Sequence, residues 1–497
     1  MFGVAMSDSG ESGGIYCGNA DSERFDVVII GAGPAGIFTA LEFANLKSGM
    51  RVLIVDSGRA VGGRACPARG GKPCARCKPC SIMSGWAGAG AFSDGKLSLS
   101  EDVGGNIVDY IGREAARELI QYADSRYVRF GAPEAVYGLD DRKVEEIRYE
   151  ASRHNIKLVP CPVRHMGTEL ALAVLTRMHE ALVSEPWFEF RELTEAVEVL
   201  TDGGRAVGVR LRDAGGGIHD VRASYVVAAP GRGGAEWLKG IAGANGIPVR
   251  NNEVDIGLRV EVPNAVMDHL TRHLYEAKLV YYSDTFESKV RTFCMNPGGI
   301  VSSEHYGGGL SVVNGHSYAD ARMRTSNTNF ALLVSTRFTQ PFNQPIEYGR
   351  YIASLVNMLT GGGVMVQRLG DLLSGRRTDK SRLDKSTTSP TLGSAVPGDL
   401  SFALPHRHLT SIIESLRAFD KLAPGLYSKN TLLYGVEVKF YSSKVDVDRK
   451  FRTKLDGLYA IGDGAGVTRG LIQASATGIA VARHIHERGN VGLANDR

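Results

Sequence analysis

The residues of this 497-residue chain that could do chemistry begin with a glycine pattern, Gly31-x-Gly33-x-x-Gly36, which Asp56 follows further along the chain. The pattern comes directly after the β-branched run 26–30. Gly31 permits a tight turn, Gly33 lets a diphosphate approach the backbone, and Gly36 lets helix and strand pack closely. The helix N-terminus would face the phosphates with unpaired N–H groups. The pattern predicts a dinucleotide site in which Asp56 receives a ribose hydroxyl; the alternative is a glycine-rich turn without a ligand.

Four of the seven cysteines fall together in a basic segment, as Cys66, Cys74, Cys77 and Cys80. Two residues between successive cysteines let their thiolates converge on one centre, so we predict a single metal site beside the loop 62–63. A [4Fe–4S] cluster and zinc are both compatible with the spacing. A redox-active disulfide pair and unligated thiols are further alternatives.

Three charged or titratable residues are candidate catalytic groups. Asp94 and Lys96 end a segment, 85–96, whose many glycines and alanines are better suited to line a planar ring than to form a core helix. His165 follows Arg164 in a short loop before a helix, where it could donate a proton or help to bind an anionic substrate. The alternatives are a surface role for Lys96 and a core or capping role for His165. Further substrate contacts could come from Arg324, Arg368 and Tyr441.

The elements that must position these residues form two groups. The glycine pattern lies in a βαβ unit, which 51–56 completes with a second β-branched strand. A β-meander at 188–211, a buried strand at 225–231 and a strand entering the glycine-rich turn 462–466 have the same character. Between them, residues 252–422 predict a mixed, mainly antiparallel sheet. Nucleotide-type segments at both ends of the chain therefore predict an interleaved architecture.

The predicted fold class is α/β: a Rossmann-like cofactor-binding domain with a β-meander, interleaved with a second, mainly antiparallel α+β domain. We expect a disordered tail at 1–23, a discontinuous cofactor-binding domain at 24–250 and 425–497, and a substrate or cap domain at 251–424. The substrate pocket would lie between the cofactor and the second domain.

Composition and charge exclude several function classes. The hydrophobic fraction of 43% and the charged fraction of 23% are typical of a globular protein. The net charge of +4 gives no reason to expect nucleic acid or an anionic membrane as a partner. No apolar run approaches the length of a membrane span, and residues 1–23 lack the features of a signal peptide. We therefore expect a cytoplasmic protein that acts on a small molecule.

The chain resembles the two-domain flavoproteins that include glutathione reductase and p-hydroxybenzoate hydroxylase. The matching segments are Gly31–Gly36 with Asp56, then 228–231, and then 458–463. The resemblance implies non-covalently bound FAD, with Asp463 on the ribityl hydroxyls. It also implies that backbone amides of residues 470–473 lie near the flavin pyrimidine, where they would stabilise the negative charge of the reduced ring.

A closer resemblance is to an uncharacterised bacterial group of FAD-dependent dehydrogenases that have a Gly-Ala-Gly-x-Phe-Ser-Asp-Gly-Lys segment. Residues 89–96, 162–168 and 254–262 carry it. The chain departs from that group at Val467–Gly470, where Thr468 and Arg469 replace a more usual Tyr-Ala-Gly-Gly stretch.

The glycine pattern, the loops and the resemblance together predict a set of cofactor-binding residues. They are Gly31, Gly33, Pro34, Ala35, Gly36, Asp56, Ser57, Gly62, Gly63, Arg64, Gly88, Ala89, Gly90, Ser93, Lys96, Val197, Ala229, Gly231, Gly462, Asp463, Gly470, Leu471 and Ile472.

The predicted function is an FAD-dependent oxidoreductase, a dehydrogenase or reductase that uses two-electron flavin chemistry. The chain has no second G-x-G-x-x-G on a βαβ unit, so either NAD(P)H visits the flavin transiently or an electron-transfer partner delivers electrons. Two other classes remain open: a flavin monooxygenase, and a flavoprotein with a non-redox or group-transfer role.

Overall fold

The computed structural model of the chain describes residues 23–67, 75–306 and 309–495. The strands are β1 Arg24–Ile30, β2 Val52–Val55, β3 Lys96–Ser98, β4 Lys157–Leu158, β5 Val163–His165, β6 Phe188–Arg191, β7 Glu195–Asp202, β8 Arg205–Arg212, β9 Ile218–Ala228, β10 Val249–Arg250, β11 Val254–Pro263, β12 Leu279–Tyr282, β13 Lys289–Asn296, β14 Ile300–Tyr306, β15 Leu310–His316, β16 Asn327–Thr336, β17 Met365–Arg368, β18 Val396–Pro397, β19 Leu432–Phe440, β20 Lys444–Val445 and β21 Leu458–Ala460. The helices are α1 Pro34–Asn45, α2 Ile107–Ile111, α3 Arg113–Arg129, α4 Asp141–Ser152, α5 Gly167–Val183, α6 Ala235–Ala244, α7 Asn264–Leu274, α8 Pro345–Thr360, α9 Leu369–Leu373, α10 Lys380–Asp384, α11 His406–Asp420 and α12 Leu471–Asn495.

The first sheet has seven strands and is parallel where the glycine pattern lies. Its order is β6-β2-β1-β9-β8-β7, and β21 pairs with the end of β9. Strands β6, β2, β1, β9 and β21 are parallel, whereas β7 and β8 form an antiparallel meander on the first half of β9. β2 is buried throughout, because helices such as α1 and α12 join it and its neighbours in one hydrophobic core.

The second sheet has eight strands in the order β18-β17-β19-β11-β16-β13-β12-β4. Its central strand β11 pairs antiparallel with both β16 and β19. The sequence of β11 alternates, so that Ile256, Leu258 and Val260 enter the second hydrophobic core while Arg259 and Glu261 point to the other face. Both charged residues are buried and have partners on that face: Arg259 pairs with Glu437, and Glu261 accepts hydrogen bonds from Asn327, Thr391 and Tyr434.

The predicted α/β class is confirmed, with a Rossmann-like sheet, a β-meander and a second, mainly antiparallel sheet. Three local features differ from the sequence expectations. Strand β19 lies inside the second sheet, although the predicted boundary at residue 424 grouped it with the cofactor-binding segments. Helix α4 and strand β4 also pack into the second hydrophobic core, because their apolar faces cover its edge. The sequence predicts one helix over about 107–130, but Gly112, at φ 83°, divides it into α2 and α3.

Most of the expected tail lies outside the described residues. No helix within 23–67, 75–306 and 309–495 is both long and apolar enough to cross a bilayer.

Candidate active site

A cleft of about 810 Å³ runs between the two sheets. Its floor is formed where the parallel strands β1, β2, β9 and β21 end at their carboxyl termini, which is where ligands bind in open α/β sheets. Strands β12 and β13 of the second sheet form the opposite wall. The predicted residues that line the cleft are Gly31, Gly33, Pro34, Ala35, Asp56, Ser57, Gly88, Ala89, Gly90, Ser93, Asp94, Lys96, Ala229, Gly231, Gly462, Asp463, Gly470, Leu471 and Ile472.

The glycine turn has the shape that a diphosphate requires. A Cβ on Gly31 would lie 2.2 Å from the Ala229 carbonyl oxygen, and one on Gly36 would lie 2.1 Å from the Gly31 carbonyl oxygen. These two glycines are therefore required by packing. A Cβ on Gly33 would meet no protein atom within 4 Å, yet Gly33 lines the cleft. The bare backbone at Gly33, with no side chain capping the N-terminus of α1, fits a bound phosphate group.

Asp56 organises the loops around this turn. Its Oδ2 accepts from the Ala32 amide at 2.9 Å, and its Oδ1 accepts from the amides of Gly58 at 2.8 Å and Gly85 at 2.7 Å. The carboxylate thus joins three chain segments while it lines the cleft. The sequence predicts that Asp56 binds a ribose hydroxyl. It does not predict that the Asp56 carboxylate holds three loops together through their backbone amides.

Six of the predicted cofactor-binding and catalytic residues do not line the cleft: Gly36, Gly62, Gly63, Arg64, His165 and Val197. The guanidinium of Arg64 donates to the carbonyls of Ser81, Ile82 and Trp86 and stacks 4.7 Å from the Phe92 ring. Burial lowers the pKa of Arg64 to about 10. Arg64 therefore fixes the loop that follows the cysteine segment.

The far end of the cleft is built from the turn after β21 and the start of α12. Asp463 accepts a hydrogen bond at Oδ1 from Thr468 Oγ1 at 2.7 Å, and its Oδ2 lies 3.8 Å from Arg232 Nε. Gly470 and Leu471 open α12 toward the cleft. A carboxylate and a helix N-terminus at this end are the donor set that the ribityl chain and pyrimidine of a flavin require.

Lys96 is the centre of a buried ionic cluster on the cleft wall. Its Nζ lies 3.0 Å from Asp94 Oδ2 and 3.5 Å from Glu276 Oε2, and it donates to the Met295 carbonyl at 2.8 Å. The Cys294 thiol donates to Asp94 Oδ2 at 3.4 Å. The Lys96 side chain is only 7% exposed, so these contacts take the place of water.

The cluster holds its charges fixed. Burial alone would lower the pKa of Lys96, but the neighbouring acids outweigh it and hold that pKa well above its ordinary value. Burial would likewise raise the pKa of Asp94, which Lys96 holds well below its usual range. Burial would raise the pKa of Glu276, but the positive charges of Lys278, at 2.5 Å, and Lys96 have the larger effect and lower this pKa to about 2. Burial raises the pKa of the Cys294 thiol, which stays protonated.

His165 lies behind this cluster rather than in the cleft. Its Nε2 is within hydrogen-bonding distance of Tyr275 Oη at 2.9 Å and Ser317 Oγ at 3.1 Å, and its ring stacks on Tyr275. Burial lowers the pKa of His165 to about 4, so the ring is neutral. Tyr275, at φ 57°, and Cys294, at φ 46°, both adopt left-handed backbone conformations, a form of strain that is common at functional sites.

A smaller chamber of about 160 Å³ opens from the cleft on the side of the second sheet. Both cavities share Asp94, Arg232, Cys294, Tyr441 and Arg469. The Tyr441 hydroxyl donates to Asp255 at 2.5 Å and accepts from Arg291 at 2.8 Å, so Tyr441 offers the chamber its ring.

The chamber wall continues into a chain of buried charges. Arg259 and Glu437 are both fully buried and form a bidentate pair at 2.8 and 3.0 Å. Lys439 Nζ lies 3.1 Å from Glu437 and 3.6 Å from Glu304. Arg259 also donates to the Cys294 carbonyl at 3.2 Å, which connects this network to the Lys96 cluster.

Sequence reasoning missed Glu276, Arg232 and Lys439. Each lies on the cleft or chamber wall. Glu276 and Lys439 have no motif around them, and Arg232 directly follows segment 228–231, in which only Ala229 and Gly231 are predicted to bind the cofactor. The one available signal was the period-two alternation of strands such as β19, which places Glu437 and Lys439 on one face.

The predicted four-cysteine site is not assembled by its described members. Cys66, Cys77 and Cys80 are free thiols, and Cys74 lies outside the described residues. Across the part of the chain that the structure describes, no three His, Cys, Asp or Glu side chains gather into a metal-binding group. The Cys77 thiol lies 3.9 Å from Ser81 Oγ and also interacts with the Cys80 side chain, while the four-cysteine site as a whole stays a prediction because Cys74 lies outside the described residues.

Two family matches divide the chain near the observed change of sheet. Residues 26–249 match the FAD binding domain, and residues 253–440 match the FAD-dependent protein, C-terminal domain-like family. An uncharacterised protein of Clostridium beijerinckii is 26% identical over 479 residues, which cover 93% of this chain and 80% of that protein.

Solved structures resemble the chain only in general fold. They include a geranylgeranyl bacteriochlorophyll reductase-like protein from Thermoplasma acidophilum, 13% identical with a TM-score of 0.40 and covering 95% of this chain and 80% of that one. L-proline dehydrogenase from P. horikoshii is 13% identical with a TM-score of 0.42, covering 93% and 94%. The family matches and the shape of the cleft agree on the cofactor: this chain is an FAD-binding protein.

Proposed function

We propose that the chain is a dehydrogenase or reductase that holds FAD along the main cleft and its small-molecule substrate between the FAD and strand β13. Gly31–Gly36 and the start of α1 would hold the diphosphate, Asp56 a ribose hydroxyl, and Asp463 the ribityl chain. Bound FAD supplies two-electron redox chemistry. The cradle at Gly33, where backbone without a side chain lines the cleft, supports this assignment.

The ionic cluster around Lys96 is the observation that carries the proposal for the substrate side. A buried ammonium held between two carboxylates is a hydrogen-bond donor fixed on the cleft wall, and the protonated Cys294 thiol lies beside it. Lys96 would stabilise negative charge and orient the substrate. The Cys294 thiol would keep its proton, because it donates a hydrogen bond to Asp94 and because burial raises its pKa.

His165 has a positioning role in this proposal. It contacts Tyr275 and Ser317 and does not line the cleft. Its neutral ring would support Tyr275, which follows α7 and directly precedes Glu276.

We further propose a division of the chain at the family boundaries. The FAD-binding domain would comprise residues 24–250 and those after β19, and the substrate domain would extend through β19, with α4 and β4 packed against it. The parallel sheet with its meander supports the finer resemblance to the glutathione reductase and p-hydroxybenzoate hydroxylase type.

Anaerobic reduction of the purified, flavin-containing protein tests the function. NADH, NADPH and dithionite are added separately, and the flavin spectrum is followed. A dehydrogenase or reductase is expected to be reduced without oxygen and to consume little NAD(P)H in air without substrate. Rapid oxygen-dependent NAD(P)H consumption would favour the monooxygenase alternative. A flavin that even dithionite cannot reduce would contradict a redox role. Reduction by dithionite alone would point to a partner protein as the electron donor.

A further inference from the structure

Arg469 lacks an ionic partner in the inner chamber. Its guanidinium stacks 3.8 Å from the centre of the Tyr441 ring, and its buried Nε has no hydrogen-bond partner. Among the described residues no carboxylate forms an ion pair with Arg469. A guanidinium in such a place forms charge-assisted, often bidentate, hydrogen bonds when an oxyanion arrives.

The other charges around the chamber are already paired. Asp94 binds Lys96, Glu437 binds Arg259 and Lys439, and Glu304 lies beside Lys439. Asp463 lies 3.8 Å from Arg232. The remaining formal charges do not cancel. There are four cations, Arg232, Arg259, Lys439 and Arg469. There are three acids, Glu304, Glu437 and Asp463, so one positive charge is left over. A ligand with a single negative charge would neutralise it.

We infer that the inner chamber binds a carboxylate group of the substrate, with Arg469 as its main counter-ion. This inference rests on the proposed function, in which FAD occupies the main cleft. The volume of about 160 Å³ is below the roughly 300–1,000 Å³ of typical small-molecule sites, so the chamber takes a small acid or one end of a larger one. Phosphate, whose charge at neutral pH is about −1.5 to −2, would leave excess negative charge.

The position of Arg469 supports a recognition role. The ring of Tyr441 fixes one face of the guanidinium, while Asp255 and Arg291 occupy the Tyr441 hydroxyl. The Arg469 amide donates to the Gly104 carbonyl at 2.7 Å, which holds the backbone in place. Little ordering of the side chain is then needed when an anion binds.

The test is a spectral titration of the oxidised holoprotein. Acetate, oxalate, malonate and succinate are each compared with their uncharged amides and with inorganic phosphate. We expect at least one carboxylate to give a saturable change in the flavin absorbance, with no such change from its amide and weaker binding of phosphate. Arg469→Gln should lower the affinity for that carboxylate by about tenfold or more, and Arg469→Lys should lower it by less.

Arg322→Gln is the matched control. Arg322 is paired with Asp320 and lines neither the cleft nor the chamber, so its loss removes the same formal charge away from the binding site. It should leave the affinity unchanged.

The inference is overturned if no carboxylate binds, if an amide or phosphate binds as well, or if Arg469→Gln has no effect. Should Arg469→Gln fail to fold, the comparison of carboxylates with amides on the unaltered protein still decides. A protein that purifies without flavin would instead show that the FAD site itself is wrong, and the visible spectrum reveals this before any titration.

Discussion

Replacing Lys96 by methionine should destabilise the folded protein by about 3–5 kcal/mol, because it leaves a buried carboxylate without its counter-ion. The loss is expected at Asp94. Glu276 keeps Lys278 at 2.5 Å, whereas Asp94 keeps weaker contacts, from the Cys294 thiol at 3.4 Å and the backbone amide of residue 96 at 3.4 Å. Methionine preserves most of the side-chain volume, so packing contributes little to the change.

A second substitution isolates the electrostatic part of this loss. In the double variant Asp94→Asn/Lys96→Met no charge is stranded, so we expect it to be more stable than Lys96→Met alone by about 1–3 kcal/mol. The assay is urea unfolding of each holoprotein, followed by circular dichroism and flavin fluorescence. Lys380→Met removes an exposed lysine paired with Asp384 and serves as the control, with an expected change below about 0.5 kcal/mol.

The pH dependence of Lys96→Met gives an independent check. In the unaltered protein the pKa of Asp94 lies below its unfolded value, so its contribution to stability is present above that value and is lost as the pH falls. Without Lys96, burial would raise the folded pKa above the unfolded one. The stability difference between the two proteins should then narrow from pH 7 toward pH 4. This reasoning is refuted if Lys96→Met is as stable as the unaltered protein. It is also refuted if the stability losses of Asp94→Asn and Lys96→Met, each measured alone, add up to the loss in the double variant.

Three further predictions concern single residues. The pKa of His165 is about 4 in the folded protein against an ordinary 6.5, so the unfolded state binds more protons between these values and the free energy of unfolding should fall as the pH drops from 6.5 to 4. His165→Gln should reduce this dependence of the unfolding free energy on pH, as measured by urea unfolding. An unchanged dependence would contradict the prediction. Asp463→Ala removes a carboxylate from the far end of the cleft and should weaken FAD retention without preventing folding, as measured by flavin content after dialysis; full retention would count against the ribityl assignment. Cys77 is exposed and its pKa is lowered, chiefly by a backbone hydrogen bond at Ser81, so iodoacetamide should modify it faster than Cys294, whose pKa burial raises; peptide mapping by mass spectrometry measures both rates, and equal rates would contradict the structure.

The parts of the site that were predictable from sequence are those encoded locally. The glycine turn, Asp56 and Asp463 each follow a short, mainly apolar strand, so the chemistry and its scaffold lie in one stretch of chain. The cleft wall was not predictable in this way. Lys96 meets Glu276 and Cys294 only because β3 lies close to the second sheet, and no periodicity encodes that approach.

The cysteine segment and strand β19 show two questions that local patterns leave open. Cys-x2-Cys spacing permits convergence on a metal, but Cys66, Cys77 and Cys80 do not form a group of three ligands among the described residues. The boundary at 424 was placed where the composition changed, whereas β19 completes the second sheet between β11 and β17. Pairing partners, which sequence composition does not report, decide domain membership.

The most direct test of the account is the FAD content of Gly33→Val. Residue 33 has φ −78° and ψ −179°, a conformation open to valine, and its Cβ would meet no protein atom within 4 Å. The variant should therefore fold like the unaltered protein. Its side chain would nevertheless enter the space assigned to the diphosphate. Gly62→Val is the matched control, because its Cβ also meets no atom within 4 Å and Gly62 does not line the cleft.

The measurement is the ratio of released FAD to protein after acid precipitation, with circular dichroism to confirm folding. We predict about one FAD per chain for the unaltered protein and Gly62→Val, and little or none for folded Gly33→Val. A folded Gly33→Val that retains as much FAD as the unaltered protein would contradict the central claim that this cleft is the FAD site.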